Sequence, residues 1–250
     1  MRGKGFVCFL ALVFITACHP RISSEIGTPT SNAENLLSKL SARNQGLKTF
    51  KGIGSIRIWN AYGSQKARVA WLGDINGRLR VEILGPSGRS LMKFAYDGKY
   101  FYFYSVGGDG IMKKRSRNPS LSRVIDVPVT IRELVFFLGG RFPVYDYRRV
   151  EWQKSGASHA DRLVLRRFWQ GIIEKIVLTE DHAAVASVSI YDWHGLSYQA
   201  GLSEYRQRGD FFIPDQIIIK SGDSEGLEIR INRYWPNVDV DDRQFVISPA

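Results

Sequence analysis

The chain has 250 residues, 44% hydrophobic and 12% aromatic, and 35 Lys and Arg against 24 Asp and Glu give it a formal net charge of +11. That apolar content excludes an intrinsically disordered chain, and the length suits one hydrophobic core. With only two cysteines, Cys8 and Cys18, no disulfide framework can hold the fold.

The chain opens on a leader. Arg2 and Lys4 precede an apolar run from Phe6 to Ile15, about half the length that a bilayer-spanning helix needs, so residues 1–17 read as a secretory signal. Ile15-Thr16-Ala17-Cys18 has the branched, small, small, cysteine order of a bacterial lipobox. The expectation is that Cys18 is acylated and becomes the first residue of the mature chain, since several acyl chains together give stable membrane anchoring where one does not. Residues 18–31, rich in Ser, Thr and Pro, read as a flexible tether, and residues 32–250 as one domain. In lipoprotein sorting an Asp after the acylated Cys marks retention at the inner membrane. His19 stands there instead, which points by analogy to the periplasmic face of the outer membrane.

The spacing of Leu36, Leu37, Leu40 and Leu47 predicts a helix over 33–47, with Ser31 or Asn32 as its cap. The period then drops to two. Ile56 and Ile58 alternate with Ser55 and Arg57, Val69 and Trp71 with Arg68, and Leu79, Val81 and Ile83 with Arg80 and Glu82. These read as antiparallel strands with one buried face, joined by turns such as Asn76-Gly77 and Asp97-Gly98. The stretch KYFYFYS (99–105) is aromatic on both faces, so that strand is expected to be covered on both sides. Residues 126–144 interrupt the pattern with a Thr cap, an apolar stripe of Ile131, Leu134, Val135 and Leu138, and a stop at Gly139-Gly140. Strands are expected again near 146–154, 161–169, 172–179, 184–193, 197–206, 213–220 and 225–234. The fold class is therefore α+β, an antiparallel sheet with a few helices.

A search for chemistry returns little. Gly85 to Ser90 (GPSGRS) has glycines and an Arg-Ser pair, but a phosphate loop needs four residues between its glycines, a Lys, and a following helix. Here only Pro86 and Ser87 lie between Gly85 and Gly88, Arg89 replaces Lys and a strand follows, so the stretch is a hairpin loop. His19, His159, His182 and His194 share no metal-ligand spacing, and Asn237–Asp242 lacks the central Gly and distal Glu of a calcium loop. No nucleophile elbow or dinucleotide fingerprint is present. The expectation is a protein that is not an enzyme, with no catalytic residue, metal or cofactor. The basic clusters at Lys113-Lys114-Arg115 with Arg117, at Arg148-Arg149 and at Arg166-Arg167 suit anionic headgroups, acidic partners or a plain solvated surface. For an exported chain they do not suggest nucleic acid.

Three stretches, in order, carry a resemblance. TFKGIGSIRIW (49–59), LRVEILGPSGRSLMKFAYDGKYFYFY (79–104) and VPVTIRELVFFLGGRFP (127–143) are similar to the first strand, the strand-loop-strand and the helical insertion of the LolA/LolB lipoprotein-carrier superfamily, and FVISPA (245–250) resembles its terminal strand and proline. The resemblance implies a curved open half-barrel with helices as a lid over an apolar cavity that takes acyl chains. It also implies an outer-membrane-anchored, non-catalytic protein of lipoprotein or lipid localisation, partnered by a LolA-like periplasmic carrier and acylated lipoproteins or lipids. The matching cavity positions are Trp71, Leu79, Val81, Ile83, Phe94, Phe101 and Phe103, with Leu134, Phe137 and Leu138 on the lid. The family's membrane-facing loop falls on Pro86, Ser87, Gly88 and Arg89. Ser87 departs from the exposed apolar residue of that loop, and Arg89 beside it could meet a headgroup phosphate instead. Inward apolar residues on such strands build either a filled core or a lipid pocket, so a non-catalytic scaffold on the same fold is the alternative.

Overall fold

A computed structural model describes residues 30–154, 160–222 and 224–248. The leader, Cys18, residues 18–29 of the tether, His19, His159 and the final Pro249-Ala250 lie outside the described residues.

One antiparallel sheet organises everything else. Helix α1 (Thr30–Ala42) leads into β1 (Thr49–Asn60), β2 (Gly63–Asp74), β3 (Arg78–Leu84), β4 (Ser90–Tyr96), β5 (Tyr100–Ser105) and β6 (Ile111–Arg115). Helices α2 (Ser122–Ile125) and α3 (Ile131–Leu138) come next. Then come β7 (Arg149–Gln153), β8 (Arg162–Arg167), β9 (Gly171–Leu178), β10 (Val185–Asp192), β11 (Gly195–Arg208), β12 (Phe211–Ser221) and β13 (Glu225–Pro236). The order across the sheet is β6-β5-β4-β3-β2-β1-β13-β12-β11-β10-β9-β8-β7. Two meanders thus share the β1–β13 seam, and the segment between β6 and β7 must travel from one edge of the sheet to the other. Open twisted sheets beyond about ten strands curl, and this one is curved without closing.

The seven strands expected after the insertion are all present, with ends shifted by up to three residues. Helix α1 differs more. It starts at Thr30 and ends at Ala42, so Ser31 and Asn32 lie inside it, the tether gives way to helix two residues early, and Leu47 is buried beyond the helix. The cause is Asn44, which takes the left-handed conformation (φ 58). Its amide donates to the carbonyls of Gly139 (3.0 Å), Gly140 (3.3 Å) and Phe212 (2.9 Å), and accepts from the Phe212 N–H (3.1 Å). One side chain thereby joins the end of α1, the end of α3 and the start of β12.

The glycines of TFKGIGSIRIW have a packing reason. Gly52 faces Trp71 across the β1–β2 pair, and a Cβ there would lie 2.2 Å from the indole. Gly54 sits where the β1–β13 register slips, and a Cβ there would lie 1.9 Å from the Arg230 carbonyl oxygen. The seam can bend only because both positions lack a side chain.

The aromatic strand β5 is covered on both faces, as its pattern required. Phe101 and Phe103 belong to the main core on the concave side, whereas Tyr102 packs with Ala95 and Ile247 in a second cluster on the other side. That cover comes from the C-terminal segment. Phe245–Ser248, which resembled a terminal strand, forms no strand, and a short 3-10 turn (Asp242–Phe245) leads it across the outer face instead. Arg80 donates to the Gln244 carbonyl (3.0 Å), Arg78 pairs with Asp242 and Asp241 caps the turn. Within the acidic stretch 237–242, Asp241 thus caps the turn and Asp242 pins it to Arg78.

Replacing Asn44 with Ala leaves the Phe212 N–H and up to three carbonyls without their partner. The expected loss is about 2–4 kcal/mol of unfolding free energy, read from urea denaturation with an unchanged m-value.

Candidate functional site

The concave face of the sheet carries the site, because the 116–148 crossover lies against it. Helix α3 has the better start signal. Thr130 accepts from the Glu133 N–H and Glu133 accepts from the Thr130 N–H (2.6 Å), a reciprocal capping box worth about 1 kcal/mol. At the other end Arg141 N–H donates to Phe136 O (2.8 Å) and Gly140 N–H to Phe137 O (3.0 Å), with Gly140 at φ 63, a Schellman stop. The helix between shows its apolar stripe to the sheet.

Beneath it lies an apolar pocket of about 40 Å³. Six of the ten expected cavity residues line it: Trp71, Val81, Ile83 and Phe94 from β2, β3 and β4, and Leu134 and Leu138 from α3. The other four lie elsewhere. Leu79 is fully buried further along β3, toward the β2–β3 turn. Phe137 is fully buried about 100° round the helix from Leu138, away from the pocket. Phe101 and Phe103 line a second, larger groove of about 750 Å³ bounded by Met92, Met112, Lys114, Ser116, residues 118–120 and Ser122. Met92 belongs to both spaces, and Leu121 and Ile125 from the α2 segment complete the inner one.

Sequence reading missed the rest of the wall. Ile56, Ile58, Leu227 and Ile229 come from the seam strands, and period-two alternation on β1 was enough to find the first two. Nothing local marks Leu121 or Ile125, whose four-residue helix is shorter than any readable period. The inner pocket has room for a water, but its lining offers none of the two to four polar partners a water needs. It is a dry space. The indole N–H of Trp71 is buried with no acceptor among the described residues.

The loop Pro86–Arg89 is an exposed hairpin tip with Gly88 at φ 78. His182 and His194 sit in different turns, the first 3.1 Å from Asp161. Among the described residues no group of three or more His, Cys, Asp or Glu is placed to hold a metal ion, and no described helix is long and apolar enough to cross a membrane.

A polar knot that no motif announced lies at the foot of α3. Glu133 accepts from the Tyr145 hydroxyl as well as from the Thr130 N–H. Glu174, fully buried on β9, accepts from the Tyr145 N–H at 3.3 Å, and its other oxygen has no partner among the described residues. Burial pushes the Glu174 carboxyl up to about 8, reinforced by the Glu133 charge nearby. Burial likewise raises the hydroxyls of Tyr145 and Tyr198, and the Glu133 charge raises them further. The knot joins α3 to the crossover and to β9, opposite the Asn44 clamp, and the buried Tyr198 hydroxyl of β11 stands without a hydrogen-bond partner among the described residues.

No family model matches the chain, and no curated protein matches it. Solved structures do. A domain assigned to outer-membrane lipoprotein sorting, from Vibrio parahaemolyticus, superposes with a TM-score of 0.62 at 14% identity, covering 87% of this chain and 97% of its own. A LolA superfamily protein from Nitrosomonas europaea gives 0.59 at 15%, covering 86% and 97%. At these identities the likeness is one of fold. The chain has the LolA-like fold, as the ordered stretches in its sequence implied.

Glu174 sets a pH dependence. Between the ordinary carboxyl value of 4.5 and about 8 the unfolded chain has released this proton while the folded chain keeps it. Stability therefore falls as pH rises through that window, by about 1.4 kcal/mol per unit, and levels off above it. Glu174→Gln removes this contribution. In urea titrations the variant should match the parent near pH 4.5 and exceed it by on the order of 3–5 kcal/mol at pH 8.

Proposed function

We propose that this chain is a non-catalytic lipoprotein, anchored through acylated Cys18 to the periplasmic face of the outer membrane, that takes an acyl chain into the concave face of its sheet. Its partners on this reading are a LolA-like periplasmic carrier and the acylated lipoproteins or lipids that the carrier delivers. The observation that carries it is the inner pocket, walled by apolar side chains alone and adjoining the larger groove beneath β4–β6 through Met92. The fold supports it, since the solved structures it resembles include a lipoprotein-sorting domain and a LolA superfamily protein.

At about 40 Å³ the pocket is far smaller than an acyl chain, so uptake requires a wall to move. Helix α3 is held at both ends, by the Glu133 knot and by Asn44. The α2 segment is joined to the residues around the start of α3 by Leu121 N–H to Val129 O (2.9 Å) and Ile131 N–H to Pro119 O (2.9 Å). On this reading the side chains of Leu121 and Ile125, which stand between the pocket and the groove, are the ones that must swing aside, and their displacement merges the two spaces. Burying a 16-carbon chain there gains on the order of 10 kcal/mol gross at about 0.8 per methylene. Most of that is offset by removing the chain from the carrier, so the transfer runs without a nucleotide.

A second reading has its own support. The smallness of the pocket and the exposed Ser87 at the loop tip suit a scaffold lipoprotein whose apolar face is ordinary core.

Native mass spectrometry of the chain from residue 19, purified from a bacterial host, separates the two. The carrier reading expects one retained acyl ligand, or one taken up from an added acylated peptide. It also expects at least a tenfold loss of uptake in Ile83→Trp, whose indole fills the pocket at an overpacking cost of about 1–3 kcal/mol. An apo mass and no uptake by the parent chain would leave the scaffold reading.

A further inference from the structure

Antiparallel hairpins sort their turns by end. Residues 61–62, 85–89, 106–110, 168–170 and 193–194 close hairpins at one end of the strands, and 75–77, 97–99, 179–184 and 209–210 close them at the other. The most exposed apolar side chains gather at the first end, and at the other stands Trp235, 36% exposed beneath the Lys51 ammonium. The six most exposed large ones among the described residues are Tyr62 (98%), Trp169 (85%), Trp193 (75%), Phe168 (69%), Val106 and Leu196, and every one lies in or within two residues of a turn of the first set. Scattered single apolar residues need no explanation on a soluble protein. A row of them on the tips of successive hairpins does.

We propose that this rim is a membrane-docking surface, with Phe168-Trp169 and Trp193 as its anchors and an anionic bilayer interface as its partner. The proposal does not depend on the pocket, which the rim lies outside, but it rests on the reading that Cys18 is acylated. Hairpins β8–β9 and β10–β11 are neighbours in the sheet, so their tips stand roughly 10 Å apart. Phe168 and Trp169 meet edge to face at 4.8 Å between ring centres. Rings on separate protruding tips offer no groove to a folded or extended protein segment, whereas a deformable interface meets all of them at once. Indole and phenol rings settle at the headgroup level, with the apolar body inward and the polar edge in water.

Charge at this end fits the same partner. Arg148 lies 5.7 Å over the Phe168 ring, and Arg149, Arg166 and Arg167 flank the same tip. Glu151 pairs with Arg149 (3.2 Å) and Arg166 (3.5 Å), while Arg148, Arg167 and, on the β3–β4 tip, Arg89 have no ion-pair partner among the described residues. Against these stand Asp109, Asp146, Glu225 and Asp192, the last accepting from the His194 N–H at 2.7 Å. Each basic residue near an anionic surface adds attraction that fades within a Debye length. The twelve residues from Cys18 to Thr30 reach at most roughly 40 Å, so a chain anchored at Cys18 is kept close to the surface its tips would touch. The Ser87 tip, apolar in the resembling family, is thus supplemented by aromatic tips elsewhere on the rim.

The test uses the full acylated chain added to phosphatidylethanolamine–phosphatidylglycerol vesicles whose acyl chains carry bromine. Bromine quenches tryptophans that reach the interface. Trp169→Ser with Trp193→Ser should remove more than half of the quenched emission while the fraction of protein bound, held by its acyl anchor, stays the same. Replacing phosphatidylglycerol with phosphatidylcholine should lower the parent's quenching at least twofold. Trp71→Phe is the internal control, because quenching lost with Trp71 reports a lipid chain in the pocket and not contact at the rim. Quenching that is absent, or that persists undiminished in the double variant, overturns the proposal and makes a protein partner the candidate for this end.

Discussion

Thirteen strands in one open sheet impose a single demand, which is that something must fill the hollow they make. Twist curls the sheet, and the curl leaves an apolar concave face that no second layer of strands covers. The chain meets the demand with the one segment that has to cross that face anyway, the link from β6 at one edge to β7 at the other. Length, capping and apolar stripe of α3 all follow from that position. Pro119, Leu121, Val127 and Val129 are buried around it for the same reason.

The way this filler is held decides what the molecule can do. Its anchors are polar, few and at the ends. Asn44 clamps the C-terminus of α3 to α1 and β12, and the Glu133–Tyr145–Glu174 knot clamps its foot to β9. Burial and the neighbouring Glu133 charge both disfavour the ionised form of Glu174 and push its carboxyl upward. Between the clamps the contact with the sheet is purely apolar, which resists separation but does not specify one distance. The α2 segment is tied to the start of α3 by Leu121 N–H to Val129 O and Ile131 N–H to Pro119 O.

The pocket spans the strands rather than sitting at one end of them. Ile58, Ile83, Met92 and Leu227 lie toward the end that carries the Tyr62, Trp169 and Trp193 tips, whereas Trp71 and Phe94 lie toward the other.

How much of this was legible beforehand depends on the range of the interaction concerned. Period-two alternation located the strands, because each side chain's face is fixed by its own backbone. The Thr cap and the Gly139-Gly140 stop located α3, because caps are made within a few residues. The double-faced aromatics of β5 even announced a cover on the outer side, though not that the C-terminal segment would supply it. Where partners are distant in sequence, the reading failed. Asn44 looked like part of a helix, because its acceptors lie about 95 and 168 residues away. Glu174 looked like one more polar residue on an alternating strand, since only folding brings Glu133 and Tyr145 to it. Phe137 and Leu138 looked equivalent until the rotation of α3 against the sheet put Leu138 in the pocket wall and Phe137 behind it. Sequence alone determined the elements and the chemistry of each face, through contacts a few residues long. Tertiary structure decided the depth of the pocket, the end of the sheet that gathers the exposed aromatics and the state of the buried carboxyl, because each is set by surfaces that meet only when the sheet curls.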